Sequence, residues 1–348
     1  MPDVETIRSS IGQLPDGRPL VVALIGGTSG IGSYVAQTFA STFARHGSKL
    51  RVYLVGRNAE RAETLMQFGR ETSEGSEWRF IRAKNLALMS EVDAVSEEIM
   101  RQEEASAFVG GPPRLDALYM SSALSPLAPS PLTEEGLDSQ MSLLYYSRIR
   151  FIQNLSGLLS ASPTTAHVIS IFAGSVEDQI KTGEVPIGAP EAASYSVTEV
   201  RKRTCFMKTF IFESLAEQHE GKISFVHIYP GLVDGPTFLS EENPLWFRML
   251  WRVLKPLASW FMTSAEVCGQ VMVSLCTERY PAKGTLTGDK VALSSQKEMG
   301  GGAYAVGQRG DERKQVSWAK ARRDDSAKKV WEHTMGVLQG AREDNAGG

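Results

Sequence analysis

The run Leu24-Ile25-Gly26-Gly27-Thr28-Ser29-Gly30-Ile31-Gly32 has the residue types and spacing to cradle the pyrophosphate of a dinucleotide. Glycine tolerates positive φ and lets the backbone approach a ligand closely. A helix opening at such a turn offers unpaired N–H groups and a partial positive charge to an anion. The following apolar run, Leu50-Arg51-Val52-Tyr53-Leu54-Val55, ends in Gly56-Arg57-Asn58. No carboxylate stands there to bind a ribose 2′-hydroxyl, and the Arg57 guanidinium suits a 2′-phosphate, so the pattern favours NADP(H) over NAD(H). Arg61, one helical turn on, could assist. The predicted cofactor contacts in these segments are Gly26, Thr28, Ser29, Gly30, Ile31, Gly32, Arg57 and Asn58.

A turn of this kind works only between a buried strand and an amphipathic helix, and the flanking residues supply both. Pro19 to Ile25 is a short continuous apolar run, as in a strand covered on both faces. Ile31, Val35, Phe39 and Phe43 recur every four residues, and Gly47 closes the helix. Strand and helix signals then alternate: a strand at Trp78-Arg79-Phe80-Ile81, a helix opened by Ser90, and a strand at Leu115 to Met120 after the Gly110-Gly111-Pro112-Pro113 break. A long helix is expected from near Thr133 through Leu159, a buried strand at His167 to Phe172, a helix from about Ser196 to Gln218, and a strand at Ile223 to Ile228. This repetition predicts an α/β fold, a Rossmann-type doubly wound parallel sheet with helices on both faces.

The 348 residues read as one domain. Its dinucleotide-binding core spans 19–235, an aromatic-rich lid helix 236–262, a last helix and strand 263–298, and an exposed loop with a C-terminal helix 299–348. That final helix is expected around Trp318 to Leu338. The chain carries a net charge of −3, so nothing points to a nucleic-acid partner. Three cysteines without metal-like spacing and five scattered histidines predict a reduced, metal-free, cytoplasmic protein. The polar, acidic start lacks the basic and apolar regions of a signal peptide.

Between Asn243 and Met262, three tryptophans and two phenylalanines are interrupted by Arg248, Arg252 and Lys255, too many charges for a transmembrane span. Two readings stay open: a lid over an apolar ligand, or a basic amphipathic helix at 244–262 resting on a membrane surface or a partner. Thr263-Ser264-Ala265-Glu266 reads as the cap of the next helix. A homo-oligomer is a further open option.

Together, the glycine turn, Val55-Gly56-Arg57-Asn58, the Leu115-Asp116 strand and Pro230-Gly231 after the sixth strand resemble the short-chain dehydrogenases/reductases, within them the retinol-dehydrogenase-like members. The resemblance covers about residues 19 to 295. It implies that Pro230 and Gly231 pack beside the nicotinamide, that Asn85, with Leu86, replaces the adenine-contacting aspartate, and that the aromatic segment is a substrate lid. Family members pair a catalytic tyrosine with a lysine four residues later and a carbonyl-polarising serine. Aligned on Tyr195-Ser196 and Leu215-Ala216, this chain puts Arg201 at the tyrosine position and Cys205 at the lysine position, with Ala173 at the serine and Leu144 at the helix asparagine. The residues that could substitute are Arg201 as a permanent cation facing an oxyanion, Ser175 as a carbonyl polariser, and Tyr195 or Tyr146 as a proton donor. Cys205 is expected to be a small packing residue.

Two function classes follow. One is an NADP(H)-dependent oxidoreductase acting on an apolar carbonyl or alcohol, in the manner of secondary-metabolite tailoring, with non-standard catalytic residues. The other is a non-redox cyclase, isomerase or binding protein that uses the same cavity.

Overall fold

Runs that are apolar on both sides leave no face for water, so they assemble at the centre of the molecule. In the computed structural model the strands are β1 (Leu20–Ile25), β2 (Leu50–Gly56), β3 (Glu77–Arg82), β4 (Ala117–Met120), β5 (Ala166–Ile171), β6 (Ile223–Ile228) and β7 (Ala303–Val306), with β3, at the sheet edge, polar in part and less buried than the rest. The structure describes residues 2–124, 131–172, 180, 184–240, 243–286, 288, 290–312 and 325–346. The strands form one parallel sheet in the order β3-β2-β1-β4-β5-β6-β7, with Ile25 level with both Val55 and Met120. The chain winds outward from β1 to β3 and then returns to place β4 beside β1. The order therefore reverses between β1 and β4, and a crevice opens there at the carboxyl ends of the strands.

Helices cover both faces. On one lie α1 (Val4–Gly12), α2 (Gly30–Thr42), α3 (Ala59–Thr72) and α9 (Ala265–Ser274), burying Val35, Phe39, Leu65 and Val271 against the sheet. On the other lie α4 (Met89–Ala105), α6 (Ser147–Ser160), α7 (Val197–Gln218) and α10 (Ser326–Ala346), burying Val92, Ile149, Phe206 and Leu338. α8 (Leu245–Ala258) stands outside both layers, with no buried residue. At the opposite, amino end of the strands Asp116 ties β4 to β1: its carboxylate accepts from the Val21 amide at 2.8 Å, Ser162 Oγ at 2.7 Å and Arg114 Nε at 3.2 Å.

Several boundaries differ from the sequence expectation. The segment at Thr133 forms a turn, and the helix begins instead with the short α5 (Ser139–Met141), where the Asp138 carboxylate accepts from the Met141 amide. One π turn, Ser142–Tyr146, then leads into α6. The last strand is β7, inside the stretch read as an exposed loop. Its four residues are all buried, because the edge of β6 supplies the hydrogen-bonding partner that a short apolar run cannot advertise alone. The C-terminal helix runs over 326–346, and Trp318 lies outside the described residues. The N-terminal α1 was not foreseen. It buries only Ile7 and Ile11, a signal too sparse to stand out.

One buried group gives the fold a pH dependence. Burial at the start of β5 pushes His167 down from 6.5 to about 4, although backbone contacts with Thr277, Tyr280 and Thr165 pull the other way. Between these values the unfolded chain binds a proton that the folded one refuses. The stabilisation is therefore complete above about pH 6.5 and is lost as the pH falls towards 4. Melting curves across this range are expected to show a His167→Gln variant losing less stability on acidification, by on the order of 3 kcal/mol.

Candidate functional site

The glycine turn sits at the switch point, and its shape is set by close packing against the end of β4. Gly26 takes φ +81°, and a Cβ there would lie 2.7 Å from the Ser122 amide nitrogen. A Cβ on Gly32 would lie 2.4 Å from the Gly26 carbonyl oxygen and 2.7 Å from Ser121 Oγ, so α2 can approach the strand only with glycine at this position. Ser121 Oγ donates to the Gly26 carbonyl at 3.1 Å and locks the turn. Thr28 packs on Gly56 at the end of β2. Ser29 is the N-cap of α2 but its side chain makes no capping hydrogen bond, and the first turn holds no acidic residue. The backbone N–H groups of Gly30, Ile31 and Gly32 thus remain a cradle for an anion.

The remaining predicted contacts lie around the same edge. Arg57 is exposed just beyond β2. The Asn58 amide oxygen accepts from the Arg61 amide at 2.8 Å, so this side chain caps α3. Asn85 is exposed, with Oδ1 accepting from the Ala87 amide at 3.1 Å. The Leu86 side chain is buried in the core. Pro230 and Gly231 follow β6. Gly231 has φ +73° and packs tightly against Gln308, which follows β7.

Among the proposed substitutes for the catalytic residues, Arg201 reaches this edge: its guanidinium lies over the Tyr229 ring at 5.8 Å, beside Pro230. Tyr195 lies half-buried against the hydrophobic cluster, following the 3-10 turn Ala192–Ser194. Ser175, like Ala173, lies outside the described residues. Tyr146 is already engaged. Its hydroxyl shares a 2.8 Å hydrogen bond with His333 of α10, and burial pushes its pKa up. Cys205 is fully buried, as a packing residue would be. No group of metal-ligating side chains is found among the described residues.

Sequence reasoning missed two cations under the end of β5. Arg148, one helical turn beyond Leu144, donates to Ser170 Oγ at 2.7 Å, to the Ile171 carbonyl at 2.9 Å and to the Ser122 carbonyl at 2.8 Å. Lys208, three residues beyond Cys205, donates to the Phe172 carbonyl at 3.3 Å. Both are 1% exposed. Burial lowers Arg148 to about 9, so it stays charged at neutral pH. Burial first, then the neighbouring Arg148 charge, holds Lys208 well below its usual value. Phe172 has φ +134°, outside the regions open to a bulky residue, so the backbone is strained where β5 meets Lys208. The available signal was a cation amid helix positions otherwise buried, as in Phe206-Met207-Lys208-Thr209-Phe210.

The aromatic segment leaves and re-enters the body at one place. The Thr263 amide donates to the Leu232 carbonyl at 2.8 Å and the Asp234 amide to the Thr263 carbonyl at 3.0 Å. Lys255 pairs with Asp234 at 2.8 Å, and Trp251 packs on Phe238 with ring centroids 4.3 Å apart. The described residues between Asp234 and Thr263 therefore belong to an excursion clasped at the carboxyl end of β6, next to Pro230-Gly231.

No family model matches the chain. It is similar to solved structures such as L-sorbose reductase from Gluconobacter frateurii, complexed with NADPH and L-sorbose (TM-score 0.54, 19% identity, 84% of this chain and 97% of that one). It is likewise similar to RhlG from Pseudomonas aeruginosa in complex with NADP (TM-score 0.53, 18% identity, 86% and 98%). At these identities the likeness establishes the fold. Sequence similarity goes further. The chain is 30% identical to the oxidoreductase andH of Emericella variicolor over 97% of each chain. It is 50% identical to the short-chain dehydrogenase/reductase SAT2 of Stachybotrys chartarum over 99% of each. With its parallel sheet, its glycine turn at the switch point and this similarity from end to end, the chain belongs to the short-chain dehydrogenase/reductase family.

Proposed function

We propose that this protein is an NADP(H)-dependent oxidoreductase that interconverts an apolar carbonyl compound and its alcohol, as a tailoring step in secondary metabolism. The observation that carries the reading is the glycine turn at the switch point, where α2 opens at Gly30 with no side-chain cap from Ser29 and no acidic residue in its first turn, leaving that helix end to an anion. The NADP and NADPH complexes of the structural neighbours and the oxidoreductase names of the relatives support it.

A bound nicotinamide would supply the hydride for the carbonyl carbon or accept it from the alcohol, and the proton on the substrate oxygen would be drawn from or released to water. The chain's own residues do the rest. The α2 N-terminus holds the pyrophosphate, Arg57 pairs with the 2′-phosphate, and Arg201, beside Tyr229, opposes negative charge developing on the substrate oxygen. Arg148, charged and without a carboxylate partner among the described residues, adds positive potential from below.

Incubation with NADPH and a panel of apolar ketones and aldehydes is expected to consume the reduced-nicotinamide absorbance. With a substrate in hand, Arg201→Ala should lower kcat/KM about a hundredfold, as when one oxyanion donor is removed. Arg57→Ala should weaken NADPH about tenfold to a hundredfold while leaving NADH nearly untouched. No absorbance change across the panel would count against redox chemistry. One reading of the sequence favours the non-redox alternative: on the alignment implied by the family resemblance, the α7 positions of the tyrosine and lysine hold Arg201, whose guanidinium is no proton donor of the tyrosine kind, and the buried Cys205. In that reading the cavity serves a cyclisation, an isomerisation or binding alone.

A further inference from the structure

α8 is amphipathic with its apolar face turned outward. Trp246, Met249, Leu250, Val253 and Leu257 recur on one side of the helix at 47% to 73% exposure, while Phe247, Trp251 and Lys255 face the body. The 3-10 turn that follows adds Trp260 at 89% and Phe261 at 84%. A monomer surface seldom leaves so many large apolar side chains contiguous without a partner.

We propose that this face lies in the interface of an anionic lipid membrane and docks the mouth of the site there. Charge complementarity is the first reason. From Leu245 to Met262 the chain has three basic residues and no acidic one, although the whole protein is at −3; Lys255 is paired with Asp234, so the complementarity rests on Arg248 and Arg252. Arg252, exposed at the flank of the apolar face, is placed to meet lipid phosphates. Shape is the second. α8 is a single projecting helix with no buried residue, fit to sink about 5–10 Å into the headgroup boundary. Its 14 residues span about 21 Å, too short to cross an apolar core of about 30 Å, and no described helix is long and apolar enough to do so. The exposed indole and phenyl rings at its end are side chains that favour the membrane–water boundary. Position is the third: the excursion is clasped at Leu232, Asp234 and Thr263, so docking it sets the crevice against the lipid, the phase in which an apolar substrate concentrates. The docking itself does not depend on hydride transfer.

Flotation of the full-length protein with phosphatidylcholine vesicles, with and without phosphatidylserine, tests this. The protein should float with the anionic vesicles, less so in high salt. Trp260→Ser with Phe261→Ser, and separately Leu250→Ser with Val253→Ser, should each lower partitioning by roughly tenfold or more, with Arg252→Glu having a smaller effect. All three sets change exposed side chains, so their melting curves should match the wild type. The proposal is overturned if the protein stays with the aqueous phase, or if both double variants float as well as the wild type. It is equally overturned if the face instead holds a second copy: concentration-dependent dimers by analytical ultracentrifugation, dispersed by the same substitutions, with no flotation.

Discussion

Replacing Gly30 with aspartate is expected to weaken NADPH binding about a thousandfold while the protein still folds. Gly30 opens α2 at φ +55°, a conformation that aspartate visits at small cost, so the turn survives. Its carboxylate, however, would stand where the helix offers its N–H groups to the pyrophosphate. Two like charges about 4 Å apart at a partly screened site repel by about 4 kcal/mol, which corresponds to about three powers of ten in affinity. Isothermal titration of the variant, with a thermal melt as control, reads both parts of the expectation. Unchanged affinity would remove the turn from the binding site.

The second large effect separates the two buried cations. Arg148→Met removes donors from Ser170 Oγ and from the carbonyls of Ile171 and Ser122, all at the ends of β4 and β5. Stranding them should cost about 3–5 kcal/mol in urea denaturation. Lys208→Met should instead lie within about 1 kcal/mol of the wild type or be more stable. Among the described residues Lys208 makes one long hydrogen bond; it is crowded by a like charge and is similar in volume to methionine. If Lys208→Met proved as damaging as Arg148→Met, the amine would be a structural keystone. If it stayed stable yet altered turnover or its pH profile, Lys208 would act in the reaction.

The contrast between these two sites shows what the sequence could disclose. β1, the glycine turn and β2 were legible because each signal is local: a run buried on both faces, then residues with special backbone freedom. The doubly wound sheet followed from alternating elements, and its order is the one that places Gly26 against Ser122. Arg148 and Lys208 were not legible because a cation in a helix reads as solvated until tertiary packing covers it. The positions that the family resemblance singles out, Leu144 and Cys205, lie about one turn before each cation on its helix. β7 escaped because four residues carry too little periodicity. The outward face of α8 was one of two readings the sequence left open, because periodicity tells that a helix has an apolar face and not which way the face points.

The central claim is that the turn at Gly26 to Gly32, together with Arg57, binds NADP(H). Isothermal titration of the wild-type protein with NADPH and then with NADH tests it most directly. Saturable, stoichiometric binding of NADPH, tighter than NADH by about tenfold or more, is the result that Arg57 predicts. Absence of binding to either nucleotide, or a preference for NADH, would contradict it.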